Sequence, residues 1–310
     1  MKNNFCFLNF DNINYSVSIF PLLKQGYTVF YNNCNFILKK IIRRIAKKYN
    51  IYWKFLSIIL WNIHYKNINK FTHIIVFDSA VEEYLCNYIE YYFSDKTIIL
   101  YYINKIKNDF YKENEIKKYK QSKWNIFSFD EQDCTDYKLK YNPYYITAQY
   151  FPINYNKFIP ISNQIFFIGK AKDRKNKINM LKNRFDELNI KYNIVVIDTN
   201  NPFYLKYFVP YCDLLSEIQK YSVLLDVVKE GQTGATQREY EAIYFKKKLL
   251  TDNKFIANKK YYNDNNIFII DYDKNDIIEG FNSFLLKPFI EIDKKILEYY
   301  SMENWINRFI

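Results

Sequence analysis

Glu230-Gly231-Gln232-Thr233-Gly234-Ala235-Thr236-Gln237-Arg238-Glu239 carries the densest chemical potential in the chain. The sequence has only 5 glycines in 310 residues, against a usual share of about 7%. Two of them, Gly231 and Gly234, fall three apart here. Glycine kept where it is otherwise scarce points to positive φ or to close approach of a ligand. Thr236 and Glu239 have the spacing of a capping box, which starts a helix at Gln237. A helix start after a glycine loop, beside Gln232 and Arg238, suits a phosphate, because unpaired N–H groups and the helix dipole both face it. A second phosphate candidate is Gly169 followed by Lys170, Lys172, Arg174 and Lys175, a basic loop at another helix start. A plain solvated basic loop reads equally well there.

These loops need elements to hold them. The stretch from Val223 to Thr251 reads as a buried strand, the glycine loop, a helix and a further strand. Gln164–Gly169 is a strand that stops on its glycine, with a helix to about Leu188. Asn193–Asp198 is a strand, Asp213–Tyr221 a helix and Asn266–Ile270 a strand, and Lys287–Ile310 is helical. In the first half, strands are expected at Phe5–Phe10, Tyr27–Tyr31, His73–Asp78, Thr97–Ile103 and Asn125–Asp130. Helices are expected at Tyr15–Lys24, with Pro21 as a kink or a later start, and at Ala80–Tyr92, with a short one near Asp133–Tyr137. Strand–helix alternation implies parallel sheets with ligands at the strands' C-terminal ends. Asp11, Asp78 and Asp130 stand at such ends. Each is more often a helix cap than a catalyst, and Asp11, after the first strand, is preferred as a base. The irregular Thr147–Asn163 stretch, with Pro152 and Pro160, is read as the crossover between domains 1–150 and 151–310.

Composition narrows the partners. Lys+Arg 45 against Asp+Glu 33 gives +12, which suits anionic partners but also fits the Lys/Asn/Ile/Tyr bias of an AT-rich genome. Leu38–Tyr49 forms an amphipathic helix pattern. Lys39, Lys40, Arg43, Arg44, Lys47 and Lys48 occupy its polar face without one acid. That favours an anionic membrane surface over an ordinary surface helix. No run reaches the roughly 20 apolar residues of a spanning helix. The five cysteines contain no CxxC and the start lacks a signal-peptide layout, so a cytoplasmic protein, possible at the inner membrane face, is expected. The two histidines and scattered acids give no metal spacing, and no metal or cofactor is expected. Asp271-Tyr272-Asp273 is read as a turn rather than a metal-binding pair. No RNP-type signature is present, and nucleic acid is kept only as a remote alternative partner.

FFIGKAKDR, LLDVVKEGQTGATQREYEAIYFKKKLLTDN and NIFII resemble the donor half of bacterial GT-B glycosyltransferase-like proteins of capsule and lipopolysaccharide synthesis. HIIVFDSA, WNIFSFDEQDCTDYKLKYNPYY and ENWINRF are similar to the same group. The resemblance implies an α/β chain of GT-B architecture: two facing Rossmann-like domains with mainly parallel sheets, the last helix packing back on the first. It implies a nucleotide-sugar donor on the C-terminal domain and a glycan or lipid-linked acceptor on the N-terminal one. Carried over by position, Gly231, Gln232, Thr233 and Gly234 would line the sugar and diphosphate, and the flanking Glu230 and Thr236 are counted with the donor site. Gly169, Lys170 and Arg174 match the loop that neutralises the leaving diphosphate, and Glu241 would take the ribose; on physical grounds, Arg238 is a further cation for the same charge. Many retaining members place glutamates eight apart. Here the position eight before Glu241 is Thr233, and Glu230 lies eleven before. That leaves retention or inversion open, and with it a non-catalytic sugar-nucleotide-binding relative. On the residues alone, Arg238 and Glu241 make a plain intrahelical ion pair.

Overall fold

The computed structural model describes residues 4–9, 17, 19–31, 65, 67–78, 83–107, 109–152, 161–170, 172–197 and 210–310. The chain divides into two units: residues 1–129 with 133–141, and residues 130–132 with 142–310. The boundary expected at residue 150 thus has a counterpart at 142, and three residues from the first half, Asp130–Gln132, belong with the second unit.

The first unit contains, among the described residues, strands β1 (Phe5–Asn9), β2 (Thr28–Tyr31), β3 (His73–Phe77), β4 (Thr97–Tyr102), β5 (Asn125–Ser128) and β6 (Lys140–Tyr141). They form a parallel sheet in the order β2-β1-β3-β4-β5-β6. Helices α1 (Phe20–Lys24), α2 (Glu83–Tyr92) and α3 (Phe110–Tyr119) occupy crossovers, and α4 (Glu131–Tyr137) precedes β6. Parallel neighbours need such crossovers, since a tight hairpin cannot join them. Ile74, Ile75, Val76, Leu100 and Tyr101 are all fully buried. Unbroken apolar strands of this kind are what a sheet covered on both faces requires. α1 starts only at Phe20, with Pro21 in its first turn, where a missing N–H costs nothing. The longer helix expected from Tyr15 is not formed over the described part. α3, FYKENEIKKY, escapes periodicity because its apolar stripe is thin; Asp109 caps it by accepting from Lys112 N at 3.3 Å.

The second unit repeats the plan with β7 (Ile161–Lys170), β8 (Tyr192–Ile197), β9 (Tyr221–Asp226), β10 (Lys248–Thr251) and β11 (Ile267–Ile269). The sheet is parallel, ordered β11-β10-β9-β7-β8. Counted from β7, this is the doubly wound order 2-1-3-4-5, whose direction of winding reverses between β7 and β9. Helix α5 (Lys175–Glu187) lays Ile178, Leu181 and Phe185, all 0% exposed, on Ile165, Phe167, Val223 and Leu225. Burying each such side chain is worth about 1.5–3 kcal/mol. Helices α6 (Tyr211–Ile218) and α7 (Gln237–Tyr244) flank β9, and α8 (Phe281–Leu286), α9 (Lys294–Tyr299) and α10 (Met302–Asn307) follow β11.

Two expectations change here. β7 begins at Ile161, inside the stretch taken for a linker, and it does not stop on Gly169 but runs through it to Lys170. Gly169 is therefore a strand residue. Its role is close packing, since a Cβ there would meet the Phe167 ring at 3.1 Å. The final helix, α10, packs Trp305 against Tyr144 and Tyr145, at ring separations of 5.7 and 5.1 Å. Tyr150 Oη accepts from Met302 N at 3.0 Å. These tyrosines precede residue 150 or stand at it, yet they lie in the same unit as the helix.

Candidate functional site

In a doubly wound sheet the crevice for a ligand opens beyond the C-terminal ends of the strands where the winding reverses. In the second unit those are the ends of β7 and β9. The two loops singled out by their chemistry leave from these ends: Lys170–Arg174 after β7, and Val227–Thr236 after β9. Arg174 ties them together. Its Nη1 donates to Val227 O at 2.6 Å and its Nη2 to Lys170 O at 2.7 Å, while its buried Nε has no hydrogen-bond partner. Lys170 is exposed. Lys177, on the first turn of α5, reaches Asp252 at 2.7 Å, and Asp252 in turn accepts from Val228 N at 2.7 Å. Arg174 and Lys177 are thus tied to the segments that follow β9 and β10, while Lys170 faces solvent.

The glycine loop has an unexpected occupant. Gly231 takes φ 66°, a turn that glycine permits without strain, whereas Gly234 does not adopt positive φ. Gln232 N donates to Lys229 O at 3.0 Å and its side-chain Nε2 to Gly234 O at 3.1 Å. The next two amides, Thr233 N and Gly234 N, both donate to Asp130 Oδ2, at 2.7 and 2.8 Å. Thr233 Oγ1 donates to Asp130 Oδ1 at 3.0 Å. Asp130 is fully buried and Thr233 is 1% exposed. The loop therefore forms an anion nest, as its glycines suggest, and a carboxylate of the same unit fills it. Gln132 N adds a bond to Thr233 Oγ1 at 3.0 Å, and Glu131 pairs with Lys259 at 2.8 Å. Glu230 and Gly231, at the tip, remain exposed.

At the helix start, Thr236 caps α7 by accepting from Glu239 N at 3.1 Å. The reciprocal half of the expected box is not made. The Glu239 side chain turns inward, 0% exposed, to accept from Tyr261 Oη. Thr236 also hydrogen-bonds Asp226, the last residue of β9. Asp226 accepts from Thr251 Oγ1 at 3.3 Å. Arg238 and Glu241 form the ion pair their spacing allows, with Nη1 and Oε2 3.0 Å apart. Arg238 Nη2 donates to Ile168 O at 3.3 Å, and its guanidinium lies over Phe166, 5.7 Å from the ring centre. Glu241 Oε1 accepts from Tyr211 Oη at 2.8 Å.

Burial sets the electrostatics. Loss of water and the nearby Asp252 carboxylate push Asp226 up to about 6, while Thr236, Arg238 and Arg174 oppose the rise. Burial pushes Glu239 up to about 7 against the Tyr261 hydrogen bond, with Asp226 adding to the rise. Glu241 is also raised by burial, and opposed by Arg238 and Tyr211. Three carboxyls under one helix start thus hold their protons at higher pH than usual.

Of the residues named from sequence, Gly169, Lys170, Arg174, Glu230, Gly231, Gln232, Thr233, Gly234, Thr236, Arg238 and Glu241 all fall in this unit, Gly169 and Lys170 at the end of β7 and the rest on the loops and helix that follow β7 and β9. Asp11 and the cations Lys39, Lys40, Arg43, Arg44, Lys47 and Lys48 lie outside the described residues. Asp78, at the end of β3 in the other unit, is paired with Lys112 at 2.9 Å and accepts from Asn104 at 3.1 Å. Asp271 and Asp273 both pair with Lys254, at 2.9 and 2.8 Å, in a turn closed by Asp273 N donating to Asp271. Among the described residues, no group of three or more His, Cys, Asp or Glu side chains could hold a metal ion. Sequence reasoning missed Asp226, Asp252, Lys177 and Tyr211. The strand-end signal that marks Asp78 after HIIVF marks Asp226 after VLL equally well.

No protein-family model and no curated relative matches the sequence. Solved structures do match. A glycosyltransferase from Rickettsia africae ESF-5 is 10% identical, with a TM-score of 0.55 over 99% of this chain and 97% of that one. The apo form of the lipopolysaccharide outer core galactosyltransferase WaaB is 9% identical, with a TM-score of 0.48 over 99% and 98%. The first likeness establishes the fold along the whole chain. The protein is an α/β chain of two Rossmann-like domains with parallel sheets, the GT-B architecture.

Proposed function

We propose that this protein is a glycosyltransferase that moves a sugar from a nucleotide donor to a surface-glycan acceptor, such as lipopolysaccharide or capsule, at the cytoplasmic face of the membrane. The observation that carries the reading is the convergence at the β7/β9 switch point of a basic loop, a glycine loop and a capped helix start. A nucleoside diphosphate is a good leaving group when fixed cations and dipoles meet its developing charge. Lys170, Arg174, Arg238 and the N-terminus of α7 supply that charge, so the reading needs no resident metal. Because Asp130 uses the Thr233 and Gly234 amides, the donor is assigned to the outer part of the loop, Glu230–Gln232, and to Arg238 and Glu241. Transfer also needs a base for the acceptor hydroxyl. Asp11, which follows the first strand in sequence, is proposed for it.

Calorimetry with nucleoside diphosphates and sugar nucleotides tests the donor site. The protein binds at least one of them, and Arg238→Ala combined with Glu241→Ala abolishes that binding. Unchanged affinity in the double variant removes the site assignment. The membrane part rests on the six cations between Lys39 and Lys48 and on their lack of acidic neighbours. Flotation with liposomes should show a preference for anionic lipid, and equal partition to neutral vesicles refutes it.

A further inference from the structure

The two oxygens of Glu241 have different fates, as do those of Glu239, but only the open oxygen of Glu241 is paired in a salt bridge with a cation, Arg238, among the described residues. Glu241 Oε1 accepts from Tyr211 Oη at 2.8 Å. Oε2 is buried and has no hydrogen-bond partner; it faces Arg238 Nη1 at 3.0 Å, and that nitrogen also lacks one. The two charges are close, but the N–H does not point along the contact. A buried acceptor and a buried donor left open side by side are costly unless something completes them. A hydroxyl does so, donating to Oε2 and accepting from Nη1.

Tyr211 is itself held. It is the first residue of α6, with its ring against Phe151 at 4.8 Å. Its hydroxyl lies 3.2 Å from Thr147 Oγ1, which bonds Gln237 Oε1 at 2.8 Å. Gln237 and Glu241 are four apart on α7, so both ends of this chain grip one face of the helix.

The geometry points to Tyr211 as a positioning residue: by occupying Oε1 and fixing the carboxylate plane, it leaves Oε2, with Arg238 Nη1, to read a single hydroxyl of the bound ligand. Resting on the proposed function, that hydroxyl is the ribose 2′-OH or 3′-OH of a nucleoside diphosphate. The groups facing Glu241 are Arg238 and Tyr211, and both favour its charged form.

The test compares UDP, ADP and GDP with their 2′-deoxy and 3′-deoxy forms by calorimetry, for the wild type, Tyr211→Phe, Thr147→Val and Glu241→Gln. Hydrogen bonds to charged groups are the strong ones, so the wild type should prefer the ribonucleotide by about tenfold or more over one deoxy form. Tyr211→Phe should shrink that preference to about threefold or less, with deoxy binding within about twofold of wild type. It should also shift the acidic limit of binding to higher pH, because a hydrogen bond favouring the carboxylate is gone. Thr147→Val, which keeps the tyrosine, should give a smaller change in the same direction and serves if Tyr211→Phe does not fold. An unchanged ratio and acidic limit in both variants, with the ratio lost in Glu241→Gln, overturns the inference and leaves the proposed function standing. An unchanged ratio in Glu241→Gln overturns the inference and the ribose role of Glu241 together. If none of the nucleotides binds the wild type, the proposed function falls and takes the inference with it.

Discussion

Asp226, at the end of β9, and Glu239, in the first turn of α7, are both buried and both above their ordinary ionisation range, at about 6 and about 7. An acid whose folded pKa is raised contributes stability that is complete below its unfolded value, near 4, and is lost as pH rises through the folded value. Stability should therefore fall between about pH 4 and pH 7, by up to about 1.4 kcal/mol per pH unit for each group. Asp226→Asn and Glu239→Gln should each flatten that fall, as chemical denaturation at several pH values would show. A slope unaffected by both changes contradicts their burial as acids. Asp130 acts through its hydrogen bonds, which hold the glycine loop. Asp130→Ala strands two buried amides and should cost about 2–4 kcal/mol. Asp130→Asn, whose carbonyl can still accept from both, should cost less. Equal midpoints for the two variants would show that the nest does not depend on this carbonyl. Asp130 was visible in the sequence as a strand-end acid. Its partner was not, because a contact across 103 positions leaves no local pattern.

Strands and caps were the legible elements. HIIVF, TIILYY and VLL announce themselves because strands covered on both faces must be continuously apolar. Thr236 announces the start of α7 because a cap needs a short side-chain acceptor. What failed at this scale were features set by tertiary packing. Glu239 has the spacing of a capping-box glutamate, but the interior offered it Tyr261. Gly169 resembles a loop glycine, but the Phe167 ring needs its space. Helix α3 has little amphipathic signal and was passed over. Two measurements follow for these elements. Thr236→Ala should lose about 1 kcal/mol from the cap and, with the Asp226 bond gone too, more than a cap alone. Gly169→Ala should destabilise by about 1–3 kcal/mol through overpacking, with partial recovery when Phe167→Leu is added. Additive losses in the double variant would show that ring and glycine are not coupled.

At the scale of the whole molecule, each unit is built on one parallel sheet with its second strand beside its first, and the strand–helix alternation made that architecture readable from sequence. The partition was less readable, because the second unit takes Asp130–Gln132 and Asn142–Tyr150 from segments that follow the first unit's strands without any break in composition. No helix among the described residues is long and apolar enough to cross a membrane. The proposed membrane role draws on the cations of the Lys39–Lys48 segment and should weaken with salt. The account stands on the switch point of the second sheet as a nucleoside diphosphate site. A ligand that binds only the native state raises apparent stability by RT ln(1 + [L]/Kd). The most direct measurement is the thermal midpoint of the wild type titrated with a panel of nucleoside diphosphates and sugar nucleotides. The account predicts that at least one compound raises the midpoint with the logarithm of its concentration, and that Arg238→Ala with Glu241→Ala removes the rise. A midpoint that no compound in the panel moves at millimolar concentration would contradict it.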